Sequence, residues 1–110
     1  MDKNTSAIVI PARIGSKRLP NKSLIDIAGK PLISWVIEAA LKVDFKAEVI
    51  VATDDNRIKK VSEDLGIKSF LTSSGIKNGT ERILAILDHI DSDFIINLQG
   101  DEPLVNPIDL

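Results

Sequence analysis

The chain is 110 residues long, 44 % hydrophobic and 27 % charged, with a net charge of −2, the size and balance of one small domain able to bury a core, without a second domain. It contains no cysteine, which excludes disulfides, thiolate metal sites and cysteine nucleophiles and fits a reducing compartment. No apolar stretch approaches the length of a signal sequence or a membrane span, so a cytoplasmic location with no membrane partner is expected. The net charge and the lack of aromatic platforms, with three Phe, one Trp and no Tyr, argue against a nucleic-acid partner.

Ala7, Ile8, Val9 and Ile10 form a short β-branched run stopped by Pro11, the pattern of a strand buried on both faces. Residues 13–30 carry Gly15, Pro20, Asn21, Gly29 and five positive charges, a composition of exposed loop and turn. Pro31 then suits a first helical residue, and Leu32, Ile33, Val36, Ile37, Ala40 and Leu41 recur at helical spacing. Residues 48–52 read as a second buried strand, with Thr53 or Asp54 as cap of a helix whose apolar face is Ile58, Val61 and Leu65, closed by Gly66.

Ser69, Phe70 and Leu71 suggest a short third strand. Thr80 or Asn78 suits the cap of a third helix running through Ile83, Leu84, Ile86, Leu87 and Ile90. Residues 93–98 are the fourth strand. Strands alternating with helices predict an α/β fold with a Rossmann-like, doubly wound, mostly parallel sheet and right-handed crossovers. In the common order the first strand lies inside the sheet and the fourth becomes its neighbour. The loops leaving those two strands then face each other across the switch-point crevice where such sheets bind ligands.

The loop after the first strand, IPARIGSKRLPNKSL, offers Arg13, Lys17, Arg18 and Lys22 within ten residues. A triphosphate carries about four negative charges and needs point charges and backbone donors together. Arg13 and Lys22, at the two ends, can clamp it from both sides; a solvated basic loop is the plainer reading. Neither GxGxxG nor GxxxxGK[ST] is present, which counts against a dinucleotide-dependent oxidoreductase and a P-loop ATPase.

The loop after the fourth strand, NLQGDEP, offers Asp101 and Glu102. Magnesium prefers one or two carboxylates plus phosphate oxygens and water, and an Asp just past a central strand is held in a fixed place. Glu102 fits solvent as well as chemistry, and the amide of Gln99 can both donate to and accept from a polyol or a base. NGTER at 78–82 sits at a predicted helix start, where free amides favour a carbonyl or phosphate oxygen, or where Thr80 and Glu81 serve only as cap and first-turn acid. His89 has no partner pattern that marks a base, and Trp35 falls beside the apolar stripe of its helix, as core or interface.

At these residues the chain resembles the cytidylyltransferases that activate 3-deoxy-manno-octulosonate (Kdo), the CMP-Kdo synthetase family. IPARIGSKRLPNKSL, GKPLI, VIVATDD, NGTERI and NLQGDEP occur in that family's order and at nearly its spacing, over essentially the whole chain. The sialic acid cytidylyltransferases share the basic loop but are not marked by QGDEP. The resemblance implies a fold of the nucleotide-diphospho-sugar transferase type, truncated, with residues 1–110 as the N-terminal nucleotide-binding part of a single domain whose remainder is absent. It implies transfer of CMP from CTP to the anomeric hydroxyl of Kdo, releasing pyrophosphate, for lipopolysaccharide synthesis.

Residue by residue, the resemblance assigns Arg13 and Lys22 as the catalytic, triphosphate-binding cations, with Pro11, Ala12, Ser16 and Arg18 beside them. Gly79, Thr80 and Arg82 match the segment near the cytidine, Gln99 a sugar contact, and Asp101 a ligand of Mg2+. CTP and a 3-deoxy-2-ulosonic acid are the implied partners, with a homodimer for the full-length protein only. Ile14 stands where the family has an aromatic, Asn78 replaces Ser, and Ile76 stands where His is typical. Those departures keep open a modified (8-amino) Kdo as substrate, the shared basic loop keeps sialic acid as the second choice, and the short length keeps open a non-catalytic CTP-binding fragment.

Overall fold

The computed structural model describes residues 6–14, 22–43, 47–76, 78–92 and 94–98. Strand β1, Ser6–Ala12, is buried at every residue after Ser6, as its uninterrupted apolar run requires for an interior strand covered on both faces. It pairs in parallel with β4, Ala47–Thr53, from Ser6↔Ala47 to Ala12↔Thr53. On its other side it pairs in parallel with β6, Phe94–Asn97, from Ser6↔Phe94 to Val9↔Asn97. Strand β5, Lys68–Leu71, adds to the far side of β4, giving the order β5-β4-β1-β6. The first strand is therefore interior and the last one lies beside it, as the alternation of elements predicts.

Residues 13–30 hold more structure than their composition suggests. A 3-10 turn at Lys22–Leu24 buries Ser23, and β2 (Asp26–Ile27) and β3 (Lys30–Pro31) form an antiparallel hairpin. Its two turn residues, Ala28 and Gly29, have φ of 52° and 96°, the positive values a two-residue hairpin needs. The Trp35 indole donates to the Ile27 carbonyl at 2.7 Å, and the Lys30 ammonium lies 3.8 Å from the centre of the Trp35 ring. Pro31 is extended (φ −60°, ψ 148°) and precedes helix α1, Leu32–Leu41. It stands one position before the helix, because it is paired with Asp26.

Helix α2, Asn56–Asp64, is capped by neither Thr53 nor Asp54 but by Asp55, whose carboxylate accepts the Arg57 amide at 2.7 Å. Thr53 is fully buried as the last residue of β4, and its hydroxyl accepts the Asp55 amide. The helix closes at Gly66 (φ 79°), whose amide reaches the Glu63 carbonyl while Ile67 reaches that of Ser62. That paired closure lets the chain reverse into β5. Helix α3, Gly79–Ala85, stops short of the predicted Ile90 and gives way to a 3-10 turn at Leu87–His89. The His89 ring stacks on Phe70, with centroids 4.7 Å apart.

Apolar side chains pack on both faces of the sheet. On one, Ile8, Ile10, Val49 and Val51 meet Ile33, Val36, Ile37 and Ala40 of α1 and Ile58 of α2. On the other, Ala7, Val9, Ile50 and Ala52 meet Ile83 of α3 and Ile86 just after it.

Candidate nucleotide site at the carboxyl edge of the sheet

Because all four strands run parallel, the residues leaving β1, β4, β5 and β6 emerge along one edge. The Leu98 amide donates to the Val9 carbonyl at 3.0 Å, at the end of the described β1–β6 ladder. Two residues on, Pro11 faces the same side of β1 and carries no N–H to offer a ladder partner. Pro11 and Ala12 are buried strand residues at the carboxyl end of β1, and Arg13, the next residue, is exposed at the rim of that edge.

The chain leaving β1 is tied down at once: the Ile14 amide donates to the Asp54 carboxylate at 2.9 Å, across forty positions of sequence. At the far end of the basic loop, Lys22 is half-buried in its 3-10 turn, with its carbonyl accepting the Ile25 amide at 3.2 Å. Ser16, Arg18, Gln99 and Asp101 lie outside the described residues. Glu102 does as well.

Arg82 is 2 % exposed. Its guanidinium donates to the Thr72 hydroxyl and, at 3.2 Å each, to the carbonyls of Ser73 and Ile76, so it gathers the loop between β5 and α3. Burial lowers its pKa from the usual arginine value, with attraction to Asp54 opposing that shift and repulsion from Arg13 adding to it. Arg82, Asp54 and Arg13 thus share one electrostatic neighbourhood at the rim. The β5 and β4 exits are also joined, by the Thr72 amide donating to the Thr53 carbonyl at 2.8 Å.

Asn78 caps α3, accepting the Glu81 amide at 2.8 Å and donating to the Glu81 carboxylate at 2.7 Å. This reciprocal arrangement resembles a capping box, and it leaves Thr80 exposed and Gly79 half-buried. Of the residues assigned from sequence, the structure brings Pro11, Ala12 and Arg13 to the carboxyl edge of the sheet, with Arg13 exposed at its rim. It places Arg82 beneath that rim as a brace for the 72–76 loop. Pattern alone offers Asp54 only as a possible helix cap and misses its place at the rim. The available signal is its position, just past a central strand on the edge that also receives Arg13.

Among the described residues no group of three His, Cys, Asp or Glu side chains is placed to hold a metal ion. Asp54 and Asp55 already accept the Ile14 and Arg57 amides. No helix among the described residues is long and apolar enough to cross a membrane.

A parallel α/β sheet whose interior first strand leads into a basic sequence is the class of fold that binds ligands such as nucleotides at the carboxyl ends of its strands. A family model described as Cytidylyltransferase matches residues 7–110. The chain belongs to that cytidylyltransferase family. It is 48 % identical over 105 residues to the 3-deoxy-manno-octulosonate cytidylyltransferase of Escherichia coli, covering 96 % of this chain and 43 % of that protein. With the enzyme of the same name from Coxiella burnetii it shares 50 % identity over 103 residues, covering 91 % and 41 %.

Among solved structures, CMP:2-keto-3-deoxy-manno-octonic acid synthetase complexed with CTP superposes with a TM-score of 0.89 at 47 % identity, covering 94 % of this chain and 43 % of that one. A cytidylyltransferase from Leptospira borgpetersenii gives a TM-score of 0.73 at 28 % identity, covering 93 % and 44 %. The chain therefore spans less than half the length of these relatives, and corresponds to their N-terminal portion.

Proposed function

We propose that this chain is the N-terminal, nucleotide-binding part of a cytidylyltransferase domain that transfers CMP from CTP to the anomeric hydroxyl of Kdo. The observation that carries this reading is the TM-score of 0.89 to a synthetase complexed with CTP, joined to an exposed Arg13 just past the carboxyl end of the interior strand β1. In the reaction the sugar hydroxyl attacks the α-phosphorus, a new O–P bond forms, and the bond to the β-phosphate breaks as pyrophosphate leaves. The hydroxyl loses its proton in the exchange, and no enzyme nucleophile is required. Catalysis of this kind is mostly positioning and charge neutralisation.

Arg13 and Lys22 bind the triphosphate from the two ends of the loop, with Ser16 and Arg18 between them. Gly79 and Thr80 lie toward the cytidine, with Arg82 holding the neighbouring loop, and Gln99 contacts the sugar. Magnesium, with Asp101 as its protein ligand, would add neutralising charge at the phosphates. Use of the product for lipopolysaccharide synthesis, a cytoplasmic location and a homodimer of the longer protein belong to the same reading. Sialic acid or an 8-amino sugar is not favoured, because the relatives above are named for 3-deoxy-manno-octulosonate.

The test is pyrophosphate release by the full-length gene product with CTP, magnesium and Kdo. Turnover with Kdo, abolished by chelating the metal, is expected. A folded protein that releases no pyrophosphate with Kdo would reject the proposal, and release without Kdo but with sialic or 8-amino sugars would reassign the substrate.

A further inference from the structure

We propose that Asp54 is a positioning residue for triphosphate binding: by accepting the Ile14 amide it fixes the direction in which the chain leaves β1, and so sets Arg13 against the phosphates. The inference rests on the CTP reading above and adds a residue which that reading does not contain.

Asp54 is poorly explained as a local structural residue. It stands one position before the cap of the helix that follows, a cap supplied by Asp55, which accepts the Arg57 amide, so capping does not account for it. Asp54 is turned to a partner forty positions away, just past the strand beside its own. The post from which it reaches is rigid, since Thr53 is fully buried and paired with Ala12, and its carbonyl accepts the Thr72 amide at 2.8 Å. The amide that Asp54 accepts belongs to the residue next to Arg13, so any change in that bond is felt one residue from the guanidinium.

Charge points the same way. Asp54 attracts the buried Arg82, and Arg13 repels it. A carboxylate in that neighbourhood offsets part of the positive charge that Arg82 brings there before any phosphate arrives. A hydrogen bond to a charged acceptor is also stronger than one between neutral groups.

The test uses the full-length protein with Asp54→Ala, Asp54→Ser and Asp54→Asn. Alanine has no acceptor and serine is too short to reach Ile14, so in both kcat/KM for CTP is expected to fall about tenfold through KM, with the sugar KM unchanged. Asparagine keeps an acceptor oxygen, and is expected to restore kcat/KM to within about threefold of wild type. Hydrogen exchange of the Ile14 amide gives a readout that does not depend on substrate: about tenfold or greater acceleration in the alanine and serine variants, and little change in the asparagine variant.

Unchanged CTP kinetics in the alanine and serine variants would overturn the proposal. So would equal damage by asparagine, or a matched rise in both substrate KM values, which marks general disruption. A wild-type protein without CTP turnover would reject the function itself, whereas wild-type turnover with unaffected Asp54 variants would reject only the role of Asp54.

Discussion

The two faces of the sheet are covered unequally. One carries two helices, α1 and α2, and a core that runs from Ile8 and Ile10 through Ile33 and Ile37 to Ile58. The other, among the described residues, carries α3 and a short 3-10 turn, with a smaller cluster around Val9, Ile50, Ile83 and Ile86. Beside it Leu84 is 59 % exposed, and Ile95, level with Ala7 in the neighbouring strand, is 38 % exposed. The difference separates two tasks. The thick face holds the strands in register, while the thin face carries the loop and helix that reach the rim through Arg82. Stability and site geometry should therefore respond to different substitutions.

The sharpest way to break this division is to remove core volume from the thick face. Ile37→Ala is expected to cost about 3 to 4 kcal/mol in denaturant melts of this chain. Ile86→Ala on the thin face should cost about half as much, since its surroundings are less enclosed. Equal losses would show that the two faces contribute alike.

Arg82→Met keeps much of the side-chain volume but strands the Thr72 hydroxyl and two loop carbonyls, so a loss of about 2 kcal/mol is expected. It should be accompanied by faster hydrogen exchange in the 72–76 loop, with β1 amides unchanged. Acceleration in both places would mean that the rim and the core are one cooperative unit.

Asp55→Ala removes the cap of α2, at a cost of about 1 kcal/mol at neutral pH. The Arg57 side chain, hydrogen-bonded to it, and then the Arg57 amide hold the Asp55 carboxyl below its usual value. A depressed folded-state pKa stabilises above the unfolded value, near ~4, and that contribution fades as pH falls through the folded-state value. Melts of wild type and variant should therefore converge in acid. At the smallest end, Leu84→Ser should change stability by less than about 0.5 kcal/mol, because that side chain already faces water.

Much of this architecture is legible in the sequence because it depends on local pattern. The run at residues 7–10 announces an interior strand, and the alternation of elements puts β6 beside β1. The hairpin is hidden because its turn is Ala28-Gly29, and alanine gives no warning of a positive φ. The end of α3 is concealed because the 3-10 turn keeps Ile86 and Ile90 against the same cluster, so burial continues past Ala85 at a spacing that looks helical. At the site, the place of Pro11, Ala12 and Arg13 at the carboxyl edge of the sheet follows from strand direction. The Asp54 tether does not, because a bond across forty positions leaves no trace in local spacing.

Trp35 is the chain's sole tryptophan, and there is no tyrosine. Its indole is hydrogen-bonded to the hairpin that follows Lys22 and lies beneath an ammonium group. Ultraviolet emission from this molecule therefore originates almost entirely beside the exit of the basic loop. A nucleotide that draws on Lys22 can announce itself there as a change in colour or brightness, without any dye or label.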